Sequence, residues 1–173
     1  MDIKLILSDI DGVWTDGGMY YSSTGEELKK FNTSDSAGVL FCKLLGIKVG
    51  IITGENVPMV QRRADKLKLD YAILGAKNKV AIVEGICEEL GITLQEVAYI
   101  GDDINDMALL SKVGYSATPS NAPLYVQNMA QHCLSVKGGE GAFRTFVEKI
   151  LTENDLLVKA LRLYHESTSQ FNQ

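Results

Sequence analysis

Three short apolar runs constrain the possible folds of this chain more than any other feature. Residues 3–8 (IKLILS), 48–53 (KVGIIT) and 97–101 (VAYIG) are almost continuously apolar, as strands buried on both faces are. Weaker strand patterns follow at 70–74, 115–118 and 133–137. Helical patterns lie between the strands, at 36–45, 57–68, 78–90, 104–112, 122–129 and 141–151. This alternation predicts an α/β fold built on a doubly wound parallel sheet.

A segment near the N-terminus interrupts the alternation of strands and helices. Gly-rich turns at 16–18 and 24–25 flank the stretches MYYSS and EELKKF, a pattern that predicts a β-hairpin over about 14–32, projecting from the sheet. One small hairpin cannot bury Trp14, Tyr20 and Tyr21 together. Exposed aromatic side chains indicate a contact surface for an oligomer, and the alternative is that they fold back onto their own core.

Length, charge and cysteine spacing limit the class of protein. The 173 residues predict one domain at 1–153, followed by a C-terminal helix or tail at 154–173. The net charge of −5 argues against nucleic acid or an anionic membrane as a partner. No apolar run reaches the roughly 18 residues of a membrane span. Three widely spaced cysteines are typical of a cytoplasmic protein with reduced thiols.

Charged and polar residues stand at the predicted carboxyl ends of three strands, where a doubly wound sheet binds its ligands. They are Asp9 and Asp11, then Thr53, Gly54 and Glu55, then Asp102, Asp103 and Asp106, with Lys79 opening a nearby helix. Two carboxylates about 4 Å apart repel by roughly 4 kcal/mol at an effective dielectric near 20. A hard divalent cation relieves that repulsion, and oxygen ligands without His or Cys favour Mg²⁺.

Each of these pieces has a structural explanation when it is taken alone. Thr53 and Gly54 could form a simple turn, Lys79 could start a solvated helix, and the acids after residue 101 could cap a helix N-terminus. Their joint placement at one sheet edge favours a functional site. Mg²⁺ there would neutralise a bound phosphate and leave one carboxylate free to attack phosphorus.

The stretches DIDGVWT, IITG and GDDINDM, together with Lys79, resemble the four motifs of the haloacid dehalogenase superfamily of phosphotransferases over residues 3–150. The resemblance implies that Asp9 is the nucleophile and forms an aspartyl-phosphate. Asp11 would protonate the leaving oxygen and then activate water, while its backbone carbonyl ligates Mg²⁺. Thr53 and Lys79 would bind the phosphoryl oxygens.

The same resemblance implies the remaining metal ligands. Asp102 would bind Mg²⁺ directly, beside Asp9 and Asp11, and Asp103 or Asp106 would support the metal from the outer shell. A phosphatase rather than a dehalogenase is implied, because Asp11 is the second acid that the phosphatases and mutases of this superfamily share.

Short spacings between the motifs leave no room for a cap domain. About 40 residues separate Asp11 from Thr53, and about 25 separate Thr53 from Lys79. The chain therefore resembles the capless branch that acts on 3-deoxy-ulosonate phosphates, whose tetramers complete each site with residues of a neighbouring subunit. The segment GGEGAFR at 138–144 resembles the branch's GGxGAxR motif. Arg144 would then contact the substrate, and the alternative is an ordinary surface arginine.

Two substrates compete within that branch. Enzymes for 3-deoxy-manno-octulosonate 8-phosphate, an eight-carbon lipopolysaccharide precursor, carry TGR and VRDG, whereas this chain has TGE at 53–55 and TSDSAG at 33–38. Both departures resemble the nine-carbon branch and favour 2-keto-3-deoxynononate or sialate 9-phosphate. Substrate contacts would then come from Thr33, Ser34, Gly54 and Glu55.

The basic stretch QRRADKL belongs to the same interpretation. Arg63 and Lys66 lie three apart on one predicted helix face and could bind the substrate carboxylate in a neighbour's site. The alternative is a solvated basic face.

Two other classes of protein share some of these features. A receiver-like signalling domain gathers acids and a lysine around Mg²⁺, but its phosphoacceptor aspartate ends a middle strand, where this chain has Thr53. A catalytically silent relative that acts as an interaction module would be expected to have lost a motif residue, and none is lost here.

Overall fold

A six-stranded parallel sheet forms the centre of the computed structural model, which describes residues 2–24 and 27–169. The strands are β1 (Leu5–Ser8), β4 (Lys48–Ile52), β5 (Tyr71–Ile73), β6 (Val97–Ile100), β7 (Tyr115–Thr118) and β8 (His132–Cys133), and β2 (Tyr20–Tyr21) and β3 (Glu27–Leu28) form the separate hairpin described below. The order in the six-stranded sheet is β5-β4-β1-β6-β7-β8, so the predicted doubly wound α/β class is confirmed. Strands β4 and β5 lie on one side of β1 and strands β6, β7 and β8 on the other, which places a crevice at the carboxyl ends of β1, β4 and β6.

Seven helices cover the two faces of this sheet within the described residues. Glycines in the left-handed conformation end two of them, since Gly46 and Gly91 both have positive φ. Pro58 occupies the first position of another, where its missing N–H costs nothing. The helices are α1 (Asp35–Leu45), α2 (Pro58–Leu67), α3 (Lys79–Leu90), α4 (Met107–Leu110), α5 (Leu124–Gln127), α6 (Ala142–Glu153) and α7 (Leu157–Ser169).

Two of the predicted elements differ from the structure. The helix predicted over 104–112 divides into a 3-10 turn (Ile104–Asp106) and the short α4, because the Asp106 carboxylate turns inward and accepts hydrogen bonds from the backbone N–H groups of Asp102 and Asp103. The strand predicted over 133–137 is reduced to the two residues of β8, at the edge of the sheet.

The core consists of two hydrophobic clusters, one on each side of the sheet. Trp14 belongs to one of them, so its predicted exposure on the hairpin is wrong. Its ring stacks on Phe143 at 4.5 Å between centroids, and its Nε1 donates to Ser8 Oγ at 2.9 Å. Buried Trp14 fastens the start of the hairpin segment to helix α6. Ala160 of α7 is buried in the same cluster, while the predicted division of the chain at residue 153 stays a prediction.

The predicted hairpin is present, and its exposed side chains are those of its outer part. Strands β2 (Tyr20–Tyr21) and β3 (Glu27–Leu28) pair antiparallel, and an isolated bridge joins Thr15 to Phe31 at its base. Tyr20, Tyr21 and Leu28 are 55%, 67% and 66% exposed. The predicted turn at residue 25 lies outside the described residues.

The described segments between the motifs form no cap domain. Between β1 and β4 the described residues form only the hairpin and α1, and between β4 and α3 they form α2 and β5. Within 2–24 and 27–169, none of the helices has the length and apolar character needed to span a bilayer.

Candidate active site

A cavity of about 310 Å³ opens at the carboxyl edge of the sheet. The chain reaches it directly after β1, β4 and β6, because parallel strands bring their carboxyl ends to the same edge. Most of the predicted chemistry therefore meets in one place. The lining residues are Asp9, Asp11, Gly12, Gly17, Met19, Thr53, Gly54, Glu55, Asp102, Asp103 and Asn105.

Three carboxylates converge beside this cavity, of which Asp9 and Asp102 line it and Asp106 is fully buried. One oxygen each from Asp9, Asp102 and Asp106 lie within 4.8 Å of one another. Asp9 Oδ1 and Asp102 Oδ1 are buried without a hydrogen-bond partner among the described residues. Burial, reinforced by the charge of Asp106, raises the pKa of Asp9 to about 7. Burial and the neighbouring charge of Asp9 raise the pKa of Asp102 to about 8.

The donor set fits a hard divalent cation. All three groups offer oxygen. Among the described residues Asp102 Oδ1 accepts no hydrogen bond and Asp9 Oδ1 has only its ion pair with Lys79, so Mg²⁺ can complete the surroundings of both oxygens. Gly12 makes room for Asp102, since a Cβ at Gly12 would lie 1.9 Å from Asp102 Oδ2. The loop after β1 therefore needs glycine at this position, where φ is also +78°.

Asp106 differs from its two neighbours because both its oxygens already accept hydrogen bonds. Oδ2 accepts from the backbone N–H groups of Asp102 and Asp103, at 2.9 and 3.1 Å. Oδ1 accepts from Lys79 Nζ at 2.7 Å and from the Tyr99 hydroxyl at 2.5 Å. These contacts suit a group that orients the metal ligands, whereas Asp9 and Asp102 keep free oxygens for a metal.

Lys79 is held between two carboxylates and a phenol. Its Nζ lies 3.2 Å from Asp9 Oδ1, 2.7 Å from Asp106 Oδ1 and 3.1 Å from the hydroxyl of Tyr99. Tyr99 is fully buried on β6, and burial raises its pKa well above the usual value. Sequence analysis missed Tyr99, although a tyrosine inside an otherwise apolar strand signals a hydroxyl that needs a buried partner.

Asp11 also has a partner that sequence analysis missed. Lys29 Nζ lies 2.7 Å from both carboxylate oxygens of Asp11. Lys29 follows β3, so the base of the hairpin reaches the second aspartate of the DIDG motif. No local pattern in the sequence pairs these two residues.

The loop after β4 supplies the remaining polar groups of the cavity. Thr53 is buried, and its Oγ1 accepts a hydrogen bond from the N–H of Glu55 at 3.3 Å. Gly54 and Glu55 line the cavity beside Asn105. The structure thus places Thr53, Gly54 and Glu55 together with Asp9 and Asp11.

The other predicted substrate contacts lie outside this cavity within one chain. Arg63 and Lys66 line a second cavity of about 600 Å³ beside the hairpin, with Lys29 and Phe31. Thr33 and Ser34 precede α1 and do not line the first cavity. The Nε of Arg144 donates to Glu148 on the same helix at 2.7 Å.

The TSDSAG and GGEGAFR segments are joined by a hydrogen bond between α1 and α6. Gly141 begins α6 without a side-chain cap, and Asp35 of α1 replaces that cap by accepting a hydrogen bond from the N–H of Arg144 at 3.0 Å. Burial raises the pKa of Asp35 to about 6. Gly139 donates its N–H to Val13 O at 2.9 Å, so the GGEG loop packs on the loop that follows Asp9. These contacts give the two segments a structural role that sequence analysis missed.

The raised pKa values predict a pH-dependent affinity for Mg²⁺. Asp9 and Asp102 bind protons up to about pH 7 and 8 in the metal-free protein, against 3.8 as the ordinary value. Unfolding releases those protons, so the metal-free protein should lose stability as pH rises from about 4 to 8. Mg²⁺ must displace the protons, and we expect its apparent Kd to fall at least about tenfold between pH 6 and 8.

Thermal unfolding with and without Mg²⁺ across this pH range measures both effects. The rise in Tm caused by Mg²⁺ should grow with pH in the wild-type protein and in Asp16→Asn, whose carboxylate is outside the triad. Asp102→Asn should abolish the rise. A rise in Tm that is constant from pH 6 to 8 would contradict the raised pKa values.

Comparison with known proteins identifies the family. The sequence pattern of the haloacid dehalogenase-like hydrolases matches residues 31–114. The 3-deoxy-D-manno-octulosonate 8-phosphate phosphatase of Haemophilus influenzae is 35% identical over 150 residues, which are 87% of this chain and 83% of that protein. The chain belongs to the haloacid dehalogenase-like hydrolases. Within the family it falls in the 3-deoxy-ulosonate phosphate phosphatase branch, and the predicted enzyme class, a phosphoric monoester hydrolase, is confirmed.

Solved structures of the family agree with this assignment. A probable YrbI family phosphatase from Pseudomonas syringae superposes with a TM-score of 0.90 at 36% identity, covering 94% of this chain and 93% of the other. The phosphatase of Moraxella catarrhalis has a TM-score of 0.85 at 34% identity and covers 98% and 94%. That structure is a complex with a magnesium ion, a phosphate ion and a 3-deoxy-D-manno-octulosonate (KDO) molecule.

Proposed function

We propose that this protein is a Mg²⁺-dependent phosphatase for 3-deoxy-D-manno-octulosonate 8-phosphate. The observation that carries the proposal is the buried carboxylate cluster of Asp9, Asp102 and Asp106 around Lys79. It occurs in a chain that is 35% identical to a phosphatase named for this substrate. The relatives favour this eight-carbon alternative over the nine-carbon substrate that the TGE and TSDSAG segments favour.

The proposed reaction begins with attack on phosphorus. An oxygen of Asp9 forms a bond to phosphorus while the bond from phosphorus to the sugar oxygen breaks. Asp11 gives its proton to the departing sugar oxygen. Lys79, Thr53 and the backbone N–H groups of the loop after β4 bind the equatorial oxygens, on which negative charge is spread. Mg²⁺ at Asp9, Asp102 and the Asp11 carbonyl would supply positive charge that draws the phosphate to Asp9.

The second step returns Asp9 to its original state. Asp11, now a carboxylate, takes a proton from a water molecule whose oxygen attacks phosphorus. The bond between phosphorus and Asp9 breaks, and inorganic phosphate leaves. Asp106 and Tyr99 keep Lys79 in place during both steps through the hydrogen bonds described above.

Substrate preference is tested by comparing the two ulosonate phosphates. We expect kcat/KM for 3-deoxy-D-manno-octulosonate 8-phosphate to exceed that for 2-keto-3-deoxynononate 9-phosphate by at least about tenfold, a typical discrimination for a differing substrate contact. Chelation of Mg²⁺ should abolish both activities. A preference for the nine-carbon substrate would overturn the proposed substrate and leave the phosphatase mechanism standing.

A variant of Glu55 tests substrate recognition at a single residue in the same assay. Glu55 lines the cavity and stands where enzymes for the eight-carbon substrate carry the arginine of TGR. Glu55→Ala should change the ratio of kcat/KM between the two substrates. An aryl phosphate without a sugar acid is the control, and its hydrolysis should be unaffected. An unchanged ratio would remove Glu55 from substrate recognition.

An oligomer with shared sites is part of this proposal. The cavity is open, the hairpin exposes Tyr20, Tyr21 and Leu28, and Arg63 and Lys66 lie outside the cavity of their own chain. We therefore propose a tetramer in which Arg63, Lys66 and Arg144 contribute to substrate binding. Light scattering should give a mass near four times 18.9 kDa, and a fully active monomer would contradict it. A cytoplasmic location, expected from cysteine usage, completes the proposal.

A further inference from the structure

We propose that Lys29 is a positioning residue that presents Asp11 as the base for the second step. The proposal deepens the proposed function and rests on it, since that function assigns Asp11 to the attacking water. It concerns a residue of the hairpin, outside the four motifs, that reaches the reacting groups only in the folded chain.

The contact between the two residues is close, and the Lys29 side chain in it is buried. Lys29 Nζ lies 2.7 Å from Asp11 Oδ1 and from Oδ2, so one ammonium holds both oxygens. The side chain of Lys29 is 1% exposed and that of Asp11 is 29% exposed. Thr15 Oγ1 adds a weaker hydrogen bond to Asp11 Oδ1 at 3.4 Å. A charge-assisted pair with two contacts fixes the orientation of a carboxylate.

Within the described part of the chain, Lys29 and Asp11 form an ion pair with each other and with no other charged group. A buried ammonium without a partner is strongly unfavourable, so this contact stabilises Lys29 in its buried position. Lys30, the next residue, is 70% exposed and lies 3.7 Å from Asp16. The two neighbouring lysines therefore face different surroundings, one the active site and the other solvent.

The pairing suits one of the two proton transfers. Both oxygens of Asp11 act as acceptors in this contact, and accepting a proton from water is the role that the second step requires of Asp11. Lys29 thereby acts through Asp11, without touching phosphorus. Its loss should slow hydrolysis of the aspartyl-phosphate and spare the formation of that intermediate.

An aryl phosphate separates the two steps, because its phenolate leaves without a proton. With 4-nitrophenyl phosphate, kcat/KM reports formation of the aspartyl-phosphate and kcat includes its hydrolysis. For Lys29→Met we expect kcat to fall about 10- to 100-fold while kcat/KM stays within about threefold. The loss in kcat is no larger than the lower end of the roughly 10²- to 10⁴-fold that general base catalysis contributes, because Asp11 itself remains. Rapid mixing should show a burst of phenolate and a phosphorylated Asp9.

Matched variants distinguish positioning from support of the fold. Lys30→Met removes the same charge from the neighbouring position and should leave both constants unchanged, and Lys29→Arg should restore much of kcat. In an Asp11→Asn background, Lys29→Met should cause no further loss of kcat. This comparison of single and double variants still separates the two roles of Lys29 if the hairpin becomes less stable.

Several outcomes would overturn the proposal. Equal losses of kcat and kcat/KM without a burst would show that Lys29 supports the fold or binds the phosphoryl group. An additional loss in the Asp11→Asn background would show that Lys29 acts independently of Asp11. A wild-type protein without any phosphatase activity would overturn the proposed function itself, which is a different result from an active wild type with an unaffected Lys29→Met.

Discussion

Asp9→Asn should abolish phosphate release, with a loss in kcat of at least about 10⁴-fold, because the amide cannot form the aspartyl-phosphate. Asp9 follows β1 directly and is 5% exposed, with Lys79 3.2 Å from its Oδ1. Steady-state release of inorganic phosphate from an ulosonate phosphate measures the loss. Trapping the wild-type reaction should reveal one phosphoryl group on the peptide that contains Asp9, and the variant should carry none.

The stability of this variant is part of the same prediction. Burial raises the pKa of Asp9 to about 7. Above that pH the carboxylate is ionised in surroundings that favour its protonated form, which lowers the stability of the metal-free protein. Replacing it with a neutral amide should therefore leave the metal-free Tm at pH 8 unchanged or higher. Asp16→Asn, which removes a carboxylate outside the triad, should keep nearly full activity. Full activity of Asp9→Asn would contradict the assignment of the nucleophile.

Gly138→Ala should cause the largest loss of stability among single-methyl additions to the active-site loops. A Cβ at Gly138 would lie 1.8 Å from the carbonyl oxygen of Gly12 and 2.9 Å from that of Thr15. Both neighbours are backbone atoms of the loop that follows Asp9, so they cannot rotate away. We expect a loss of about 3 kcal/mol in the free energy of unfolding, at the upper end for overpacking.

Activity should fall together with stability, because the displaced loop carries Asp11 and makes room for Asp102 at Gly12. Denaturant unfolding and kcat measured well below the midpoint check the two effects. Gly85→Ala is the matched control, since no atom outside its helix lies within 4 Å of the added Cβ. It should be neutral or stabilising by up to about 1 kcal/mol. Equal stability of the two variants would contradict the close approach of the GGEG loop.

The order of elements and the catalytic edge of the sheet could be predicted from local patterns. Strands buried on both faces require apolar runs, so β1, β4 and β6 are recognisable without any tertiary information. Parallel topology then brings the residues after these strands to one edge. For that reason Asp9, Asp11, Thr53 and Asp102 could be grouped in advance, and the structure places all four around one cavity.

Contacts between distant segments could not be predicted in the same way. Lys29 is 18 residues from Asp11, Tyr99 is 20 from Lys79, and Asp35 is 109 from the N–H of Arg144 that it caps. Nothing in the sequence distinguishes Lys29 from Lys30, or the buried Trp14 from the exposed Tyr20. Only the path of the hairpin and its packing on α6 decide which side chain enters the site.

The sequence by itself therefore determined the fold class, the position of the site and the chemical types gathered there, because strand burial and strand ends depend on neighbouring residues. The tertiary structure decided the partners of those groups. It showed Asp11 held by Lys29, Lys79 held by Tyr99 and Asp106, and the GGEG loop fitted against the loop of Asp9. Such pairings depend on ångström-scale approach between segments far apart in the chain, which periodicity does not encode.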